Sequence, residues 1–255
     1  MKINLLPTRA LVLCIIFLGT SANFIFAQQK NNHYDDLVTL FKEWRTFENP
    51  PLRNGAPDYT QETFVNREAD FKLLQEKLQN IDTISWPIPH QVDWHIVNAE
   101  MNGYAFNQRV LRPWERDPAF YKSVWTDRSD VPAHEGPTHH GITELWTYTF
   151  PLDKESSEKL TADLKVIPAI NEQAKINLIG NAKDLWIAGI RDIKDQVENL
   201  SAIKGFPEVN KNKKLLIAID DAIASTNALA TWLQAEAKTK TGPSGIAPTF
   251  RCQYS

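Results

Sequence analysis

The run His134-Glu135-Gly136-Pro137-Thr138-His139-His140, followed by Glu144, concentrates metal-ligand side chains in a short stretch. Two imidazoles and a carboxylate suffice to hold a catalytic zinc, with a further carboxylate as general base. A helical His-Glu-x-x-His box achieves this with histidines four residues apart on one face. Here the step from His134 is five to His139 and six to His140. Gly136 and Pro137 oppose the continuous helix that would align the rings. No catalytic or metal-ligating residue follows from this spacing. His134, Glu135, His139 and His140 stand as substrate-facing or hydrogen-bonding loop residues, or as a solvated loop satisfied by its own structure. A loop that gathers His134, His139 and Glu144 round an ion is the third reading.

Trp86, Trp94, Trp114, Trp125 and Trp146 crowd the span 86–146. They would serve either an aromatic-lined groove for a peptide or sugar, or helix packing, where large aromatic rings dominate burial. Arg109, Arg112, Glu115, Arg116 and Asp117 form a mixed-charge cluster, the usual composition of an ion-pair network at a helix end. Exposed pairs of that kind are worth only about 0–1 kcal/mol. The chain holds no Gly-rich phosphate loop, no Cys–His pair and no Ser nucleophile elbow. With a formal charge of −3 and scattered Lys and Arg, it has no basic patch for nucleic acid.

The elements that would position these residues are helices. Leu37, Leu40, Phe41, Trp44 and Phe47 mark the first, by the apolar stripe of an amphipathic helix. Pro50, Pro51, Gly55 and Pro57 place a loop before a second helix over about 60–80. A third is expected over about 91–111, with Val92, Ile96, Ala99, Gly103, Phe106 and Val110 inward and Gly103 at a close helix approach. Asp117-Pro118 caps and opens a short helix through Trp125. Residues 126–141 read as loop. A helix over about 153–179 should kink at Pro168, and another over about 183–203 closes at Gly205 and Pro207. The last, over about 211–238, is apolar on several faces and expects cover on all sides. The fold class is all-α, a multi-helix bundle-like domain. With Leu216, Ile223 and Trp232 short of cover, self-association is expected.

At 255 residues, 42% hydrophobic and 23% charged, the composition is that of a globular protein. Residues 1–27 read as a signal peptide: Lys2 and Arg9 lead, an apolar stretch follows from Ala10 to Gly19, and Ala27 sits at the cleavage point. Thr20, Ser21 and Asn23 interrupt that stretch as a membrane span. Cleavage takes the formal charge from −3 to −5 and leaves one cysteine, Cys252, so no internal disulfide forms. The chain is then exported, periplasmic or secreted, with no membrane span.

Asp93-Trp94-His95-Ile96-Val97-Asn98-Ala99-Glu100, Leu111-Arg112-Pro113-Trp114 and Arg116-Asp117-Pro118-Ala119-Phe120-Tyr121 resemble the bacterial family called domain of unknown function 885. Asp58-Tyr59-Thr60, Phe150-Pro151-Leu152, Ile167-Pro168-Ala169, Ala174-Lys175-Ile176-Asn177-Leu178 and Gly242-Pro243-Ser244-Gly245 extend the likeness over nearly all of the mature chain. The resemblance implies an exported, mostly helical, zinc-metallopeptidase-like protein about twice this length. Its His-Glu zinc box lies in the C-terminal half, so no zinc ligand carries over to this sequence. Residues 28–246 are expected to be the helical N-terminal half, and 247–255 an aberrant tail after a truncation near residue 246.

Two functions follow. In the first, the chain is the non-catalytic helical portion of an exported metallopeptidase-like protein, inactive alone. Zinc and a peptide substrate then belong only to the full-length relatives. In the second, it is a self-sufficient periplasmic binding or structural module using the aromatic-rich 86–146 region. Either way residues 1–27 should be removed on export. Mass spectrometry of the exported protein should give a first residue of Gln28; a mature chain retaining Met1 would contradict the signal reading.

Overall fold

The computed structural model describes residues 33–127 and 141–245. All of them fall within the unit Asn31–Ser255. The all-α class holds. The helices are α1 (Tyr34–Glu48), α2 (Gln61–Gln79), α3 (Ile88–Phe106), α4 (Pro113–Arg116), α5 (Lys154–Lys165), α6 (Ile167–Asn177), α7 (Lys183–Lys204), α8 (Pro207–Lys211) and α9 (Lys213–Glu236). Strand is limited, among the described residues, to β1 (Leu52–Arg53) paired antiparallel with β2 (Ala56–Pro57), and β3 (Val124–Trp125) paired parallel with β4 (Thr143–Glu144). No described helix is long and apolar enough to cross a membrane.

α1, α2 and α3 pack round one core of Leu37, Leu40, Trp44, Phe71, Leu78, Val97 and Met101. Trp44, with no exposed surface, meets Tyr104 edge-on at 5.2 Å between ring centres. The C-terminal end of α1 is pinned by Arg67, whose guanidinium donates to the Phe47 and Asn49 carbonyls and lies 4.3 Å from the Phe47 ring centre. A cation suits that end, where helix carbonyls lack partners and the dipole is negative.

The stripe expected to face inward on α3 is the wrong one. Val97, Met101, Tyr104 and Ala105 are buried, while Val92, Ile96 and Phe106 are 48%, 51% and 41% exposed. Both stripes keep helical spacing, so periodicity alone does not choose between them. The larger side chains, Met101 and Tyr104, fill the space beside Trp44 and Phe71. Gly103 has open space where a Cβ would stand, so it marks no close approach.

α7 and α9 run antiparallel, tied by Lys204–Asp220, Gln196–Thr226 and the Trp186–Trp232 ring pair. α5 and α6 lie against α9. Pro168 does not kink one long helix. α5 ends at Lys165, and a separate α6 carries Pro168 in its first turn, where the missing N–H costs nothing. Asp117 caps a single 3-10 turn, Pro118–Tyr121, by accepting from Ala119 N at 2.9 Å. The chain then goes extended into β3 instead of remaining helical to Trp125. Gly189 of α7 allows this turn to sit against the helix: a Cβ there would stand 2.6 Å from Ala119 N. On α9, Leu216, Ile223 and Trp232 are half-buried rather than bare. Ile223 packs on the core beneath α5 and α8, and Trp232 on the core shared with α6 and α7. Ile217, 60% exposed, is a large apolar side chain of that helix left to solvent.

Polar side chains hold the junction of these helices. Gln196 Oε1 accepts from Ser123 N at 2.6 Å and Val124 N at 3.0 Å, and its Nε2 donates to Thr226 Oγ1 at 3.0 Å. Thr226 Oγ1 donates to Ala222 O and also accepts from Asn171 Nδ2 at 3.3 Å. Gln196, Asn171, Thr226 and Ser123 have no exposed surface. Losing a buried partner costs about 1–3 kcal/mol for each group left unpaired. Gln196→Ala strands two backbone N–H groups and opens a cavity, so urea unfolding should show a loss of about 3–5 kcal/mol. The neighbouring exposed Glu198→Ala should stay within about 0.5 kcal/mol of the parent; equal effects of the two would refute the role given to the buried amide.

Candidate functional site

The α2 sequence carries polar and apolar side chains at positions 61, 64, 65, 68, 71, 72 and 75, a stripe of helical spacing. Ala105 near the end of α3, with Gln108, Arg109 and Arg112 just beyond it, forms the matching stripe. The two stripes face one another across a cavity of about 280 Å³. Its apolar wall is Phe64, Phe71 and Trp114, and its polar rim includes Gln61, Glu68, Lys72, Gln75, Gln108, Arg109 and Arg112. Phe64 stacks on Trp114 with ring centres 3.9 Å apart.

The backbone is irregular where it bounds this cavity. Asn107–Leu111 is a π-helical turn, and Arg112 follows in the left-handed region at φ 45°. Pro113 then opens α4. A wide turn and a non-glycine left-handed residue each cost stability, and both recur where a chain shapes a site. Arg112 is fixed there by Gln61, which accepts from its guanidinium at 3.0 Å, and by Glu115. Glu115 is buried, and its backbone carbonyl accepts from Gly180 N at 2.7 Å. Arg116 reaches away to the Ser244 carbonyl at 2.9 Å. The mixed-charge cluster read from sequence therefore divides: Arg109 and Arg112 line the cavity, whereas Arg116 and Asp117 anchor backbone.

The rim carries Lys72, Arg109, Arg112 and Glu68, and Arg112 is also paired with the buried Glu115. A hydrogen bond and ion pair from Lys72, at 2.7 Å, hold the Glu68 carboxyl below its usual range, and Arg109 adds to this. The indole N–H of Trp114, 1% exposed, has no hydrogen-bond partner among the described residues. A buried donor in that condition costs about 1–3 kcal/mol.

Of the site residues read from sequence, His134, Glu135, His139 and His140 lie outside the described residues. Glu144 is exposed on β4, in register with Trp125. The aromatic-rich region does not form one groove. Trp86 and Trp94 join the α1–α3 core, Trp114 the core of α6, α7 and α9, and Trp125 lies 36% exposed beneath Lys122. Among the described residues no group of three or more His, Cys, Asp or Glu is placed to hold a metal ion. The cavity itself was missed in the sequence. Its one signal was the pairing of Arg109 and Arg112 with Trp114 just before a proline-opened turn.

Behind Phe71 the rings of Trp44 and Tyr104 close the core, and burial pushes the Tyr104 hydroxyl up to about 12. Beside them Glu48 and Glu100 share Arg45, at 2.6 and 3.8 Å, and Trp44 Nε1 donates to Glu100 at 3.2 Å.

The chain matches no known family in a scan of family models, and no curated protein matches it. It is similar in fold to a solved structure from Shewanella oneidensis described as a "putative lipoprotein of unknown function". The two share 18% identity at a TM-score of 0.51, over 80% of this chain and 36% of that one. The likeness is one of fold, and this chain spans little more than a third of the longer protein.

Glu48 gives the molecule a pH dependence. Burial, opposed by Arg45 and reinforced by Glu100, raises its carboxyl from 4.5 to about 7. The folded state therefore holds this proton more tightly than the unfolded chain. Its contribution is most favourable below about pH 4.5 and is lost as pH rises towards 7. The melting temperature should fall between pH 5 and pH 8 in the parent, and Glu48→Gln should flatten that fall. An unchanged slope in the variant would rule out Glu48 as its source.

Proposed function

We propose that this chain is the non-catalytic helical portion of an exported metallopeptidase-like protein, inactive alone, and that it contributes a binding site rather than a reaction. The composition of the α2–α3 cavity carries this reading. Guanidinium, amide and aromatic side chains hold and orient a ligand, and they supply neither nucleophile nor general base. Glu68, the lining carboxylate, is a weakened base because Lys72 stabilises its ionised form.

The resemblance of the Asp93–Glu100 and Leu111–Tyr121 segments to domain of unknown function 885 supports the metallopeptidase-like assignment. The fold likeness to 36% of a longer chain accords with a portion of a larger protein, and that protein's description as a lipoprotein accords with export. In the intact protein, zinc and a peptide substrate would be engaged by residues that have no counterparts here. The second reading, a self-sufficient binding module, is favoured by the cavity being built wholly from residues 61–114. Of the tryptophans between 86 and 146, it would use Trp114.

The purified mature chain should contain less than stoichiometric zinc by elemental analysis and should leave a fluorogenic peptide library uncut. Catalytic zinc needs typically three protein ligands and a positioned base. One zinc per chain, with peptide cleavage abolished in His134→Ala, would overturn the reading.

A further inference from the structure

We propose that the outer face of α3 is where two copies of this chain meet, as an antiparallel pair of α3 helices about a two-fold axis. α3 is apolar on two opposite sides. Val97, Met101, Tyr104 and Ala105 face the core shared with α1 and α2. At 3.6 residues per turn, Ile88, Val92, Ile96, Ala99, Gly103 and Phe106 fall within an arc of about 80° on the other side. No polar side chain of the helix shares that arc, and Ile88 at its head is 75% exposed. None of the six lines the α2–α3 cavity. Monomeric proteins rarely leave a continuous apolar strip of this length to water.

The order of residue types along the strip fits a second copy. A two-fold interface sets the same surface against itself, so the strip must be its own complement. With the axis level with Val97 and Asn98, Val92 stands opposite Gly103 of the second copy, and Ile96 opposite its Ala99. Ile88 meets Phe106 at each end. In the middle of the strip every branched side chain therefore faces a small residue, which lets two helices approach closely. Open space stands where a Cβ on Gly103 would be, so nothing within the chain fills that notch.

Charge does not oppose the contact. His95 and Asn102 border the strip on one edge. Towards the other, Asp93 accepts from Tyr34 at 2.7 Å and Glu100 from Trp44 at 3.2 Å, so both carboxylates are turned to α1. Area sets the strength. Half the surface of a cylinder roughly 27 Å long and about 11 Å across is roughly 470 Å². Two copies then hide roughly 900–1,000 Å², near the least that a specific interface buries, which makes the dimer reversible with a Kd of about 10–100 µM.

Sedimentation equilibrium of the purified mature chain across that concentration range should show monomer and dimer exchanging. Ile96→Glu, which places a charge beside the axis on both copies, should raise the Kd about tenfold or more. Gly103→Leu fills the notch and should also raise it. The dilute variant should melt no lower than the parent, because the site is open within the chain and leucine favours helix over glycine. In a Cys252→Ser background, oxidation of an equal mixture of Val92→Cys and Gly103→Cys chains should link unlike chains. Like positions would lie about 16 Å apart along the axis, beyond disulfide reach.

A chain monomeric throughout the range would overturn the proposal. So would a dimer unchanged by both Ile96→Glu and Gly103→Leu, which would put the contact on another face, or disulfides between like chains, which would make the helices parallel. A monomer that binds phosphatidylcholine vesicles, and loses that binding in Ile96→Glu, would assign the strip to a lipid surface and overturn the proposal equally.

Discussion

A carboxamide with no exposed surface must find partners for both its ends, and Gln196 finds them on different elements. Its oxygen accepts from the backbone at Ser123 and Val124, and its nitrogen donates to Thr226 on α9. That one side chain fixes three things at once: the rotation of α7, the register of α9, and the path of the chain leaving the Pro118–Tyr121 turn. Apolar contacts do not impose such constraints, since they tolerate sliding. A hydrogen bond weakens steeply with misdirection, so a buried polar network selects one arrangement.

A second set of amides carries that order towards the cavity. On α6, Gln173 accepts from Tyr59 N at 3.1 Å and donates to Pro57 O at 2.9 Å, as a neighbouring strand would. One turn on, Asn177 donates to the Tyr59 carbonyl at 3.0 Å and to the Tyr121 hydroxyl at 3.1 Å. Tyr121 in turn donates to the Trp114 carbonyl at 2.7 Å. Burial drives the Tyr121 hydroxyl far above its ordinary range, so it stays protonated and remains a donor. The loop before α2 and the turn holding Trp114 are thus referred to the same helix. This is why Phe64, at the start of α2, meets Trp114 face to face.

How much of this was legible in the sequence depends on what set each feature. The helices were legible because apolar spacing and the Pro and Gly breaks act locally. The choice between two apolar stripes on α3 was not: Val92–Ile96 and Val97–Met101 are equally periodic, and only the volume beside Trp44 and Phe71 decides between them. The division at Pro168 was half legible, since proline either kinks a helix or opens a new one, and the packing of α5 and α6 on α9 selects the second. Nothing in the sequence marks Asn171, Gln173, Gln196 and Thr226 for burial, because burial of a polar side chain is visible only through partners distant in sequence. The His134–His140 run drew notice by residue type alone, whereas the cavity is built from ordinary residues brought together by helix pairing.

The cavity itself follows from conflicting demands on residues 105–114. Ala105 and Tyr104 belong to the α1–α3 core, while Trp114 belongs to the core beneath α6 and α7. A regular helix running on from α3 would extend along one axis and could not deliver consecutive residues to two cores. The π-helical turn shifts the phase of the helix, Arg112 turns the chain through the left-handed region, and Pro113 restarts it. The ion pair with Glu115 and the hydrogen bond to Gln61 hold Arg112 in that conformation. The space left between α2 and this turn lies between the two cores, lined by Phe71 of one and by Phe64 and Trp114 of the other, with Arg109 and Arg112 on its rim. The cavity is thus a by-product of joining two cores through one irregular turn.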